Sequence, residues 1–389
     1  MTAVEGRQTD DVGYPMRQWV FDDALGRYDI DLGDSHVECG TVADLTVQAD
    51  LELNYGVDRG GARLRELVAA RYGGSADSVL VTHGAQEALF LAYSVLLRPG
   101  DQVITFRPGW QQSWDAPPLM GARVDVLDLD REFAIDIAAV AAAATDRLRI
   151  IVVNSPGNPT GRTVGAAELA ALRDIVARTD GYLLLDEEYA VDLTTSPAVR
   201  DDRVLSVSSL SKVYGLPGLR IGWLYTHPSL AVACARRKHL TSIANSVLTE
   251  ALAADVLAHA ADYIDRYHQL TGPGLEMVRT WCAVHADRVA LVPPQGTPFA
   301  WLWLSSPSGP SDSLAFCRQV LERGVLLMPG ETTGATGGFR LSFAREPAVL
   351  DEGLRRIGAV LRGDPAGRPP IASPPELFDD RRSTDGVAR

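Results

Sequence analysis

The middle of the chain alternates short apolar runs with amphipathic helical patterns. The runs 150–153 and 183–185 are apolar at consecutive positions, which is typical of strands covered on both faces between helix layers. The pattern predicts strands at 78–81, 102–106, 123–127, 149–154, 182–186 and 203–207, and helices at 85–97, 134–144, 166–178 and 230–239. We therefore expect an α/β fold whose large domain contains a mostly parallel, doubly wound sheet.

The pattern changes after about residue 279. Strands at 289–292, 299–304, 325–327 and 339–343 follow with fewer helices, which predicts a smaller α+β domain that the segment before Thr46 completes. We divide the chain into an N-terminal arm with part of the small domain (1–45), the large domain (46–279), the C-terminal small domain (280–362) and a disordered tail (363–389). The first 13 residues are polar, and we expect them to be mobile or to order on a partner subunit.

The composition excludes several classes of partner. The 389 residues carry a formal net charge of −13, which argues against nucleic acid and anionic membranes, since both select basic surfaces. No apolar run approaches the roughly 20 residues of a membrane helix. Seven scattered histidines predict no metal site. The four cysteines form no C-x-x-C pair and no secretory signal precedes them, so we expect reduced, buried thiols in a cytoplasmic protein.

Lysine is scarce in this chain, and one lysine stands in an unusual string. Of 37 basic residues only Lys212 and Lys238 are lysines. Lys212 lies in S-L-S-K-V-Y-G-L-P-G-L-R-I-G-W, residues 209–223. A lysine can lose its proton and form a Schiff base, whereas an arginine cannot. We predict a covalent lysine at 212 and interpret Lys238, within R-R-K-H, as part of a solvated basic helix face.

Polar motifs follow three predicted strands directly. These are N-S-P-G-N-P-T-G at 154–161, D-E-E-Y at 186–189 and the Lys212 string. A doubly wound sheet places its ligand crevice at such strand ends. Gly84, Ala85 and Gln86 open a helix after another strand, and free N–H groups at a helix start bind anions. With Ser209 and Arg220 they predict a phosphate site.

Together these motifs resemble the fold-type I, pyridoxal-phosphate-dependent enzymes of the class I/II aminotransferase group. The resemblance covers about residues 29–361 and includes N-P-T-G, D-x-x-Y and F-R-L-S-F-A in the family's order. It implies that pyridoxal 5′-phosphate (PLP) is the cofactor and that 46–279 is its binding domain. Lys212 would hold the cofactor as an internal aldimine and then carry a proton between the substrate Cα and the cofactor C4′. Asp186 would pair with the ring nitrogen.

The resemblance also assigns roles to residues around these two. Catalysis is assigned to Lys212, Asp186 and Tyr189. The other cofactor contacts are Tyr189 and Asn158 at the ring's phenolic oxygen, Trp110 stacked on the ring, Gly84, Ala85, Gln86, Ser209 and Arg220 at the phosphate, and Tyr55 at the phosphate of a neighbouring subunit. Arg340 would clamp the substrate α-carboxylate, with Asn158 and Gly33 beside it. A homodimer with shared active sites is therefore expected.

Each of these residues also has a plain structural interpretation. Asp186 is compatible with a helix cap, Trp110 with a core aromatic, and Arg340 with a surface ion pair. Two segments depart from the family. G-D-S-H-V-E at 33–38 replaces the G-x-P-D of many relatives, and P-G-E-T-T-G at 329–334 lacks an aromatic residue. Asp34, Glu38 and Glu331 either favour a cationic substrate or are loop carboxylates facing solvent.

The leading functional hypothesis is an aminotransferase that moves an amino group between an amino acid and a 2-oxo acid. The first alternative is PLP-dependent elimination, replacement or cyclisation of an amino acid, because residues 19–45 resemble capreomycidine synthase, a cyclising relative that acts on an arginine derivative. The second is a ligand-sensing module without turnover. We expect the short acidic N-terminus to leave no room for the helix-turn-helix of such regulators, and sensing does not require Lys212, Asp186, Tyr189 and Arg340 together.

Overall fold

The computed structural model describes residues 14–305 and 312–365. The strands are β1 Ile30–Asp31, β2 Val79–Thr82, β3 Gln102–Arg107, β4 Arg123–Asp128, β5 Leu148–Asn154, β6 Tyr182–Asp186, β7 Val204–Ser209, β8 Gly222–Tyr225, β9 Val289–Val292, β10 Phe299–Leu304, β11 Val325–Leu326, β12 Met328–Pro329 and β13 Gly338–Ser342. Residues 1–13, 306–311 and 366–389 lie outside the described part, and with them the first 13 residues of the predicted arm and most of the predicted tail.

Helices surround these strands, and side-chain caps fix several of their ends. They are α1 Pro15–Arg17, α2 Ala62–Tyr72, α3 Gly84–Leu96, α4 Gln112–Asp115, α5 Ile137–Ala143, α6 Ala166–Ala177, α7 Pro228–Lys238, α8 Val247–Ala258, α9 Ala260–Val284, α10 Ser313–Leu321 and α11 Pro347–Leu361. A π-helical segment, Gln18–Ala24, continues α1. The Asp312 carboxylate accepts from Ala315 N at the start of α10, which satisfies one backbone donor that the helix leaves free.

The large sheet has seven strands in the order β2-β8-β7-β6-β5-β3-β4. Only β8 runs antiparallel to its neighbours, so the sheet is mostly parallel. Successive residues of a strand point to opposite faces. Leu183 and Leu185 of β6 pack with α2, α6 and α8, while Leu184 packs with α3 and α7 on the other face. The α/β fold and the doubly wound sheet are confirmed.

A second, antiparallel sheet has the order β12-β13-β10-β9. The N-terminal strand β1 joins this part of the chain through parallel pairing with β11, in the register Ile30 to Val325. Helix α9 runs without a break across residue 279, where the sequence pattern changes. The division into domains stays a proposal, with its boundary inside this helix.

Several elements differ from the sequence prediction for identifiable reasons. Helix α5 begins at Ile137 rather than at 134, because the Asp136 side chain caps it through Ala139 N. Helix α9 was not predicted, and it contains Gly272, Pro273 and Gly274, residues that disfavour a helix interior. A Cβ at Gly274 would lie 2.1 Å from the carbonyl oxygen of Phe343, so this glycine allows close helix packing. Fewer helices begin after residue 279 than before it in the described residues, as predicted, but α10 and α11, which begin there, were not predicted individually.

Two predictions about single residues are also wrong. Lys238 is fully buried rather than solvated, and its Nζ donates to Val81 O at 2.9 Å and to Asn245 Oδ1. Burial lowers the pKa of Lys238. Cys39 is exposed, while the other three cysteines are buried free thiols. No helix in the described ranges is long and apolar enough to cross a membrane.

Candidate active site

Three adjacent parallel strands end at the polar motifs. Asn154 is the last residue of β5, Asp186 of β6 and Ser209 of β7. Asn154 and Asp186 are register partners, and Asn154 Nδ2 donates to the Asp186 carbonyl at 2.9 Å. The carboxyl ends of parallel strands share one edge of a sheet, which explains why motifs far apart in sequence meet here.

Lys212 lies in the loop that follows β7 and is partly buried. Its Nζ donates to Ser35 Oγ at 2.9 Å, and its carbonyl accepts from Val37 N at 3.3 Å. The segment around residue 35 therefore lies directly against the lysine. This segment departs from the family's G-x-P-D, and Ser35 is not among the predicted site residues.

Asp186 is a buried carboxylate without a cationic partner in the described chain. Its residue is 7% exposed, and no ion pair of the described residues includes it. One carboxylate oxygen accepts from Glu188 N at 3.3 Å. Burial, with the nearby charge of Glu188, raises the pKa of Asp186 from 3.8 to about 8. A bound cation at this position would offset the desolvation and restore the charged form.

Arg340 is buried beside Asn158 and carries an unsatisfied donor. Nη1 donates to Asn158 Oδ1 at 2.5 Å and Nη2 donates to the carbonyl oxygen of Gly33. Its Nε has no hydrogen-bond partner among the described residues. The guanidinium lies 5.1 Å from the ring centre of Phe299, and burial lowers the pKa of Arg340. A fixed guanidinium with no carboxylate partner is suited to bind a carboxylate ligand.

Tyr189 completes this part of the site. It is buried and packs edge-on against Phe299, with ring centres 5.1 Å apart. Burial raises the pKa of Tyr189, and the neighbouring hydroxyl of Ser35 opposes that shift. Tyr189 and Arg340 therefore pack on the same phenylalanine, and Arg340 also donates to Asn158 and to the Gly33 carbonyl.

The start of α3 has the geometry of an anion site. Gly84 has φ +74°, and a Cβ there would lie 2.5 Å from the Arg220 guanidinium. Gly222 of β8 allows close packing, since a Cβ there would lie 2.6 Å from Ala85 N. Arg220 itself has a left-handed backbone, φ 52°. The glycines thus bring a guanidinium next to free N–H groups at the helix start, which together bind an anion such as phosphate.

Two residues expected near the cofactor have protein partners. Trp110 Nε1 donates to Gln86 Oε1 at 2.9 Å, so the predicted stacking residue and the start of α3 are adjacent. Ser209 Oγ donates to the Glu188 carboxylate and accepts from Ser211 N at 3.0 Å. A phosphate that binds Ser209 must displace Glu188. The second glutamate of D-E-E-Y was the sequence signal for this residue, and its significance was missed.

The three carboxylates considered for substrate charge have different surroundings. Glu331 accepts from Ser313 Oγ at 2.8 Å, and Glu38 Oε2 accepts from Glu346 N at 2.8 Å, so both stabilise the local fold. The side chain of Asp34 is 48% exposed. Burial opposes its ionisation, but the hydrogen bond from His36 and the charges of His36 and Lys212 hold the pKa of Asp34 well below its usual range.

Tyr55 lies apart from the other predicted residues. It is 86% exposed, and no described hydrogen bond or ring contact joins its side chain to Lys212 or Arg220. The prediction that Tyr55 acts at the site of a neighbouring subunit stays a prediction. Within residues 14–305 and 312–365, no group of three His, Cys, Asp or Glu residues has the arrangement of a metal site.

Comparison with known proteins gives a consistent result. The model of the family "Aminotransferase class I and II" matches residues 25–357. Capreomycidine synthase of Streptomyces vinaceus is 33% identical over 322 residues, 80% of this chain and 82% of that protein. The crystal structure of the PLP-dependent cyclase OrfR is 30% identical with a TM-score of 0.84, covering 93% of this chain and all of that chain. A PLP-dependent aminotransferase from Streptococcus suis 89-1591 has a TM-score of 0.81 at 27% identity, covering 88% and 96%.

The sheet, the lysine after β7 and the buried carboxylate at the end of β6 define a fold-type I, PLP-dependent enzyme. The chain belongs to the class I and II aminotransferase family, and its cofactor is pyridoxal 5′-phosphate. The described residues fit this group on three counts: Asp186 is a buried carboxylate that lacks a cation, the start of α3 is an anion site, and Lys212 presents a primary amine.

Proposed function

We propose that this enzyme is an aminotransferase that takes the amino group from an α-amino acid and gives it to a 2-oxo acid. The observation that carries the proposal is the buried guanidinium of Arg340, which is unpaired at Nε and donates to Gly33, two residues from the serine that accepts from the Lys212 amine. A clamp for a carboxylate beside a nucleophilic amine is what a reaction at the α-carbon of an amino acid requires. Family membership supports the same reaction class.

In this proposal each residue has one role. When bound, PLP supplies a cationic ring that withdraws the electron pair left at the substrate Cα. Asp186 holds that ring cationic, because a buried carboxylate stabilises an adjacent positive charge. Lys212 carries the cofactor and moves the proton to and from Cα. Arg340, held by Asn158 and the Gly33 carbonyl, orients the α-carboxylate.

The remaining contacts fix the cofactor. Gly84, Ala85 and Arg220 bind its phosphate at the start of α3, and Gln86 positions Trp110 over the ring through their hydrogen bond. Tyr189 and Asn158 bind the phenolic oxygen of the ring. Ser209 joins the phosphate once Glu188 releases its hydroxyl. We further propose that the enzyme acts in the cytoplasm, as its free thiols suggest.

A single-turnover experiment tests the reaction type. The holoenzyme is mixed with one amino acid at a time, without a 2-oxo acid, and the cofactor is then analysed by chromatography. An aminotransferase accumulates pyridoxamine 5′-phosphate and releases the matching 2-oxo acid, and pyruvate or 2-oxoglutarate reverses the change. If no amino acid that reacts with the holoenzyme produces pyridoxamine 5′-phosphate, the proposal is contradicted.

Cyclisation or elimination is the second candidate, and the similarity to capreomycidine synthase and to the cyclase OrfR favours it. Both similarities extend over four fifths or more of the chain. In the same single-turnover experiment, this reaction releases ammonia or a cyclised product and returns the cofactor in its aldehyde form.

Arg340→Lys should lower kcat/KM by about 100-fold, mainly through a higher KM for the amino acid. A lysine replaces a two-donor fork with one mobile ammonium, and charge-assisted hydrogen bonds are worth about 1.5–3 kcal/mol each. Steady-state kinetics measures this. Arg356→Lys is the matched control: Arg356 is buried and paired with Asp29, so its substitution should lower the melting temperature and leave KM unchanged. An unchanged KM in Arg340→Lys would contradict the proposal that Arg340 binds the substrate carboxylate.

We propose that the enzyme is a homodimer whose active sites are shared. Leu53, Tyr55 and Val57 expose apolar side chains, and Gly56 between them packs against Asn245 and Val247. Ile243 and Leu248, on the same segment as these contacts, are exposed as well. An exposed apolar patch of this kind marks an interaction surface, and symmetric dimers are the commonest assembly. Tyr55 would then reach the phosphate site of the partner.

Mixing two inactive variants tests the shared site. Lys212→Ala and Tyr55→Ala chains, unfolded and refolded together, form hybrid dimers in which one site combines Lys212 of one chain with Tyr55 of the other. About a quarter of wild-type activity should return, since half of the dimers are hybrids with one complete site each. Lys212 and Arg340 are assigned to the same chain's site, so Lys212→Ala mixed with Arg340→Ala should stay inactive. Activity would return in this mixture only if the arginine were supplied across the interface. Recovery with Arg340→Ala but not with Tyr55→Ala contradicts the assignment.

A further inference from the structure

The segment 31–38 runs between Lys212 and the arginine clamp, and its backbone is held on both sides. Its contacts are Gly33 O with Arg340 Nη2, Asp34 O with Ser342 Oγ, His36 O with Arg345 Nη1 at 2.7 Å, and Val37 N with Lys212 O at 3.3 Å. Such contacts from β13, from the turn after it and from the Lys212 loop hold a side chain within narrow limits. The side chain they position toward the lysine is Ser35.

The Ser35 hydroxyl contacts the amine of the site directly. It is 8% exposed and accepts a hydrogen bond from Lys212 Nζ at 2.9 Å. A hydroxyl provides two acceptor positions, so it can accept from the amine in both of its protonation states. Ser35 is therefore in contact with the amine that reacts, and it stands in the segment that departs from the family's G-x-P-D.

We propose that Ser35 is a further catalytic residue, whose hydroxyl holds the amine of Lys212 in place and stabilises it when it carries the substrate proton. The inference rests on the role proposed for Lys212 and not on which reaction follows. When the substrate Cα–H bond breaks, its proton forms a new N–H bond on the neutral amine, and the electron pair stays at Cα. The resulting ammonium donates to Ser35 Oγ, and Ser35 itself ends unchanged.

The charged groups around Lys212 cannot replace this contact. Asp34 and Asp186 act on Lys212 through charge, but the described residues include no ion pair between either carboxylate and its Nζ. Asp34 is instead paired with His36 Nε2 at 2.9 Å, and that pair raises the pKa of His36, against its burial, to about 9. Ser35 thus supplies the direct hydrogen bond to the Lys212 amine. The electrostatic effect of the two carboxylates on Lys212 should persist in Ser35→Ala.

The scarcity of lysine makes a direct test possible. Trace acetylation with isotopically labelled acetic anhydride, applied across a pH range to the full chain freed of cofactor, reports the basicity of each lysine by mass spectrometry. Only Lys212 and Lys238 are lysines, and Lys238 is fully buried, so the label reports on Lys212. A peptide with a single lysine, added to the reaction, serves as the reference. Ser35→Ala should move the midpoint of the Lys212 labelling profile about one pH unit lower, because a hydrogen bond to a charged group stabilises the ammonium form. Lys238 should not change.

Two further variants at position 35, one control variant and one kinetic readout complete the test. Ser35→Thr keeps the hydroxyl and should restore the wild-type profile, and Ser35→Cys, which keeps the volume with a weak acceptor, should behave like alanine. Ser94→Ala is the matched control, since Ser94 is also 8% exposed but donates to Leu91 O. In the holoenzyme, exchange of the α-proton of L-alanine, L-aspartate or L-arginine with deuterated water should slow about tenfold or more in Ser35→Ala.

The outcomes separate this inference from the proposed function. A Lys212 profile that is the same in wild type, Ser35→Ala and Ser35→Cys overturns the role of Ser35, whatever reaction the enzyme performs. A shifted profile with release of ammonia in place of pyridoxamine 5′-phosphate overturns transamination and leaves Ser35 in place. Should Ser35→Ala fail to fold by circular dichroism, the comparison of Ser35→Cys with Ser35→Thr gives the same decision.

Discussion

Lys212→Ala should lower turnover by at least about 10⁴-fold, the largest effect expected of any single substitution. The change removes the attachment point of the cofactor and the group that moves the α-proton, and a positioned acid–base group alone contributes about 10² to 10⁴ in rate. Lys238 cannot substitute, because it is fully buried and donates to Val81 O and Asn245 Oδ1. Turnover with saturating PLP is the measurement.

Lys212→Arg is the control that separates chemistry from charge. It keeps a cation at the position but cannot become a neutral nucleophile, so its activity should be as low as that of Lys212→Ala. Circular dichroism and the melting temperature establish that both variants fold. Turnover within about tenfold of wild type in either variant would show that another group carries the chemistry.

Asp186→Asn should weaken PLP binding and slow turnover, each by about 10² to 10³-fold. Loss of one partner of a buried ion pair costs about 3–5 kcal/mol, and asparagine keeps the shape of Asp186 without its charge. Glu187→Gln is the matched control, because Glu187 is similarly buried but accepts from Ser196 Oγ at 2.7 Å. Cofactor dissociation constants from absorbance titrations should change in the first variant only.

Asp186 should also make the unfolding free energy of the cofactor-free protein depend on pH. Asp186 has a folded-state pKa of about 8 against a usual value of 3.8, so between these values the folded chain holds a proton that the unfolded chain has lost. Its contribution to stability is therefore present at low pH and is lost as pH rises from about 4 to about 8. Asp186→Asn should flatten this part of the curve of unfolding free energy against pH. In the wild type, bound PLP should prevent the loss of stability, because its cationic ring favours the charged carboxylate.

Features of the fold and of the site that depend on local sequence patterns could be predicted from the sequence, whereas features that depend on contacts between distant segments could not. The strands 289–292 and 299–304 match β9 and β10, because local apolar patterns set them. The residues after β5, β6 and β7 were placed together correctly, since strand order in a parallel sheet follows general rules. Packing of distant segments decides the features that were missed.

Lys238 and Ser35 illustrate that limit. The R-R-K-H string is charged, yet α7 packs its last turn against β2, and the carbonyl of Val81 receives the buried ammonium. Ser35 lies 177 positions from the lysine that it contacts, in a loop without a periodic pattern. Its only sequence signal was a departure from a family motif, which identifies an unusual segment without showing what it touches.

The central claim is that Lys212 carries the cofactor, and reduction of the holoenzyme tests it most directly. Borohydride converts a lysine–PLP linkage to a stable secondary amine, and peptide mass spectrometry then locates the added mass. We predict that the modified peptide contains Lys212 and that Lys212→Ala yields none. Modification at Lys238, or a purified enzyme that binds PLP and reacts with amino acids without any modified lysine, would contradict the account.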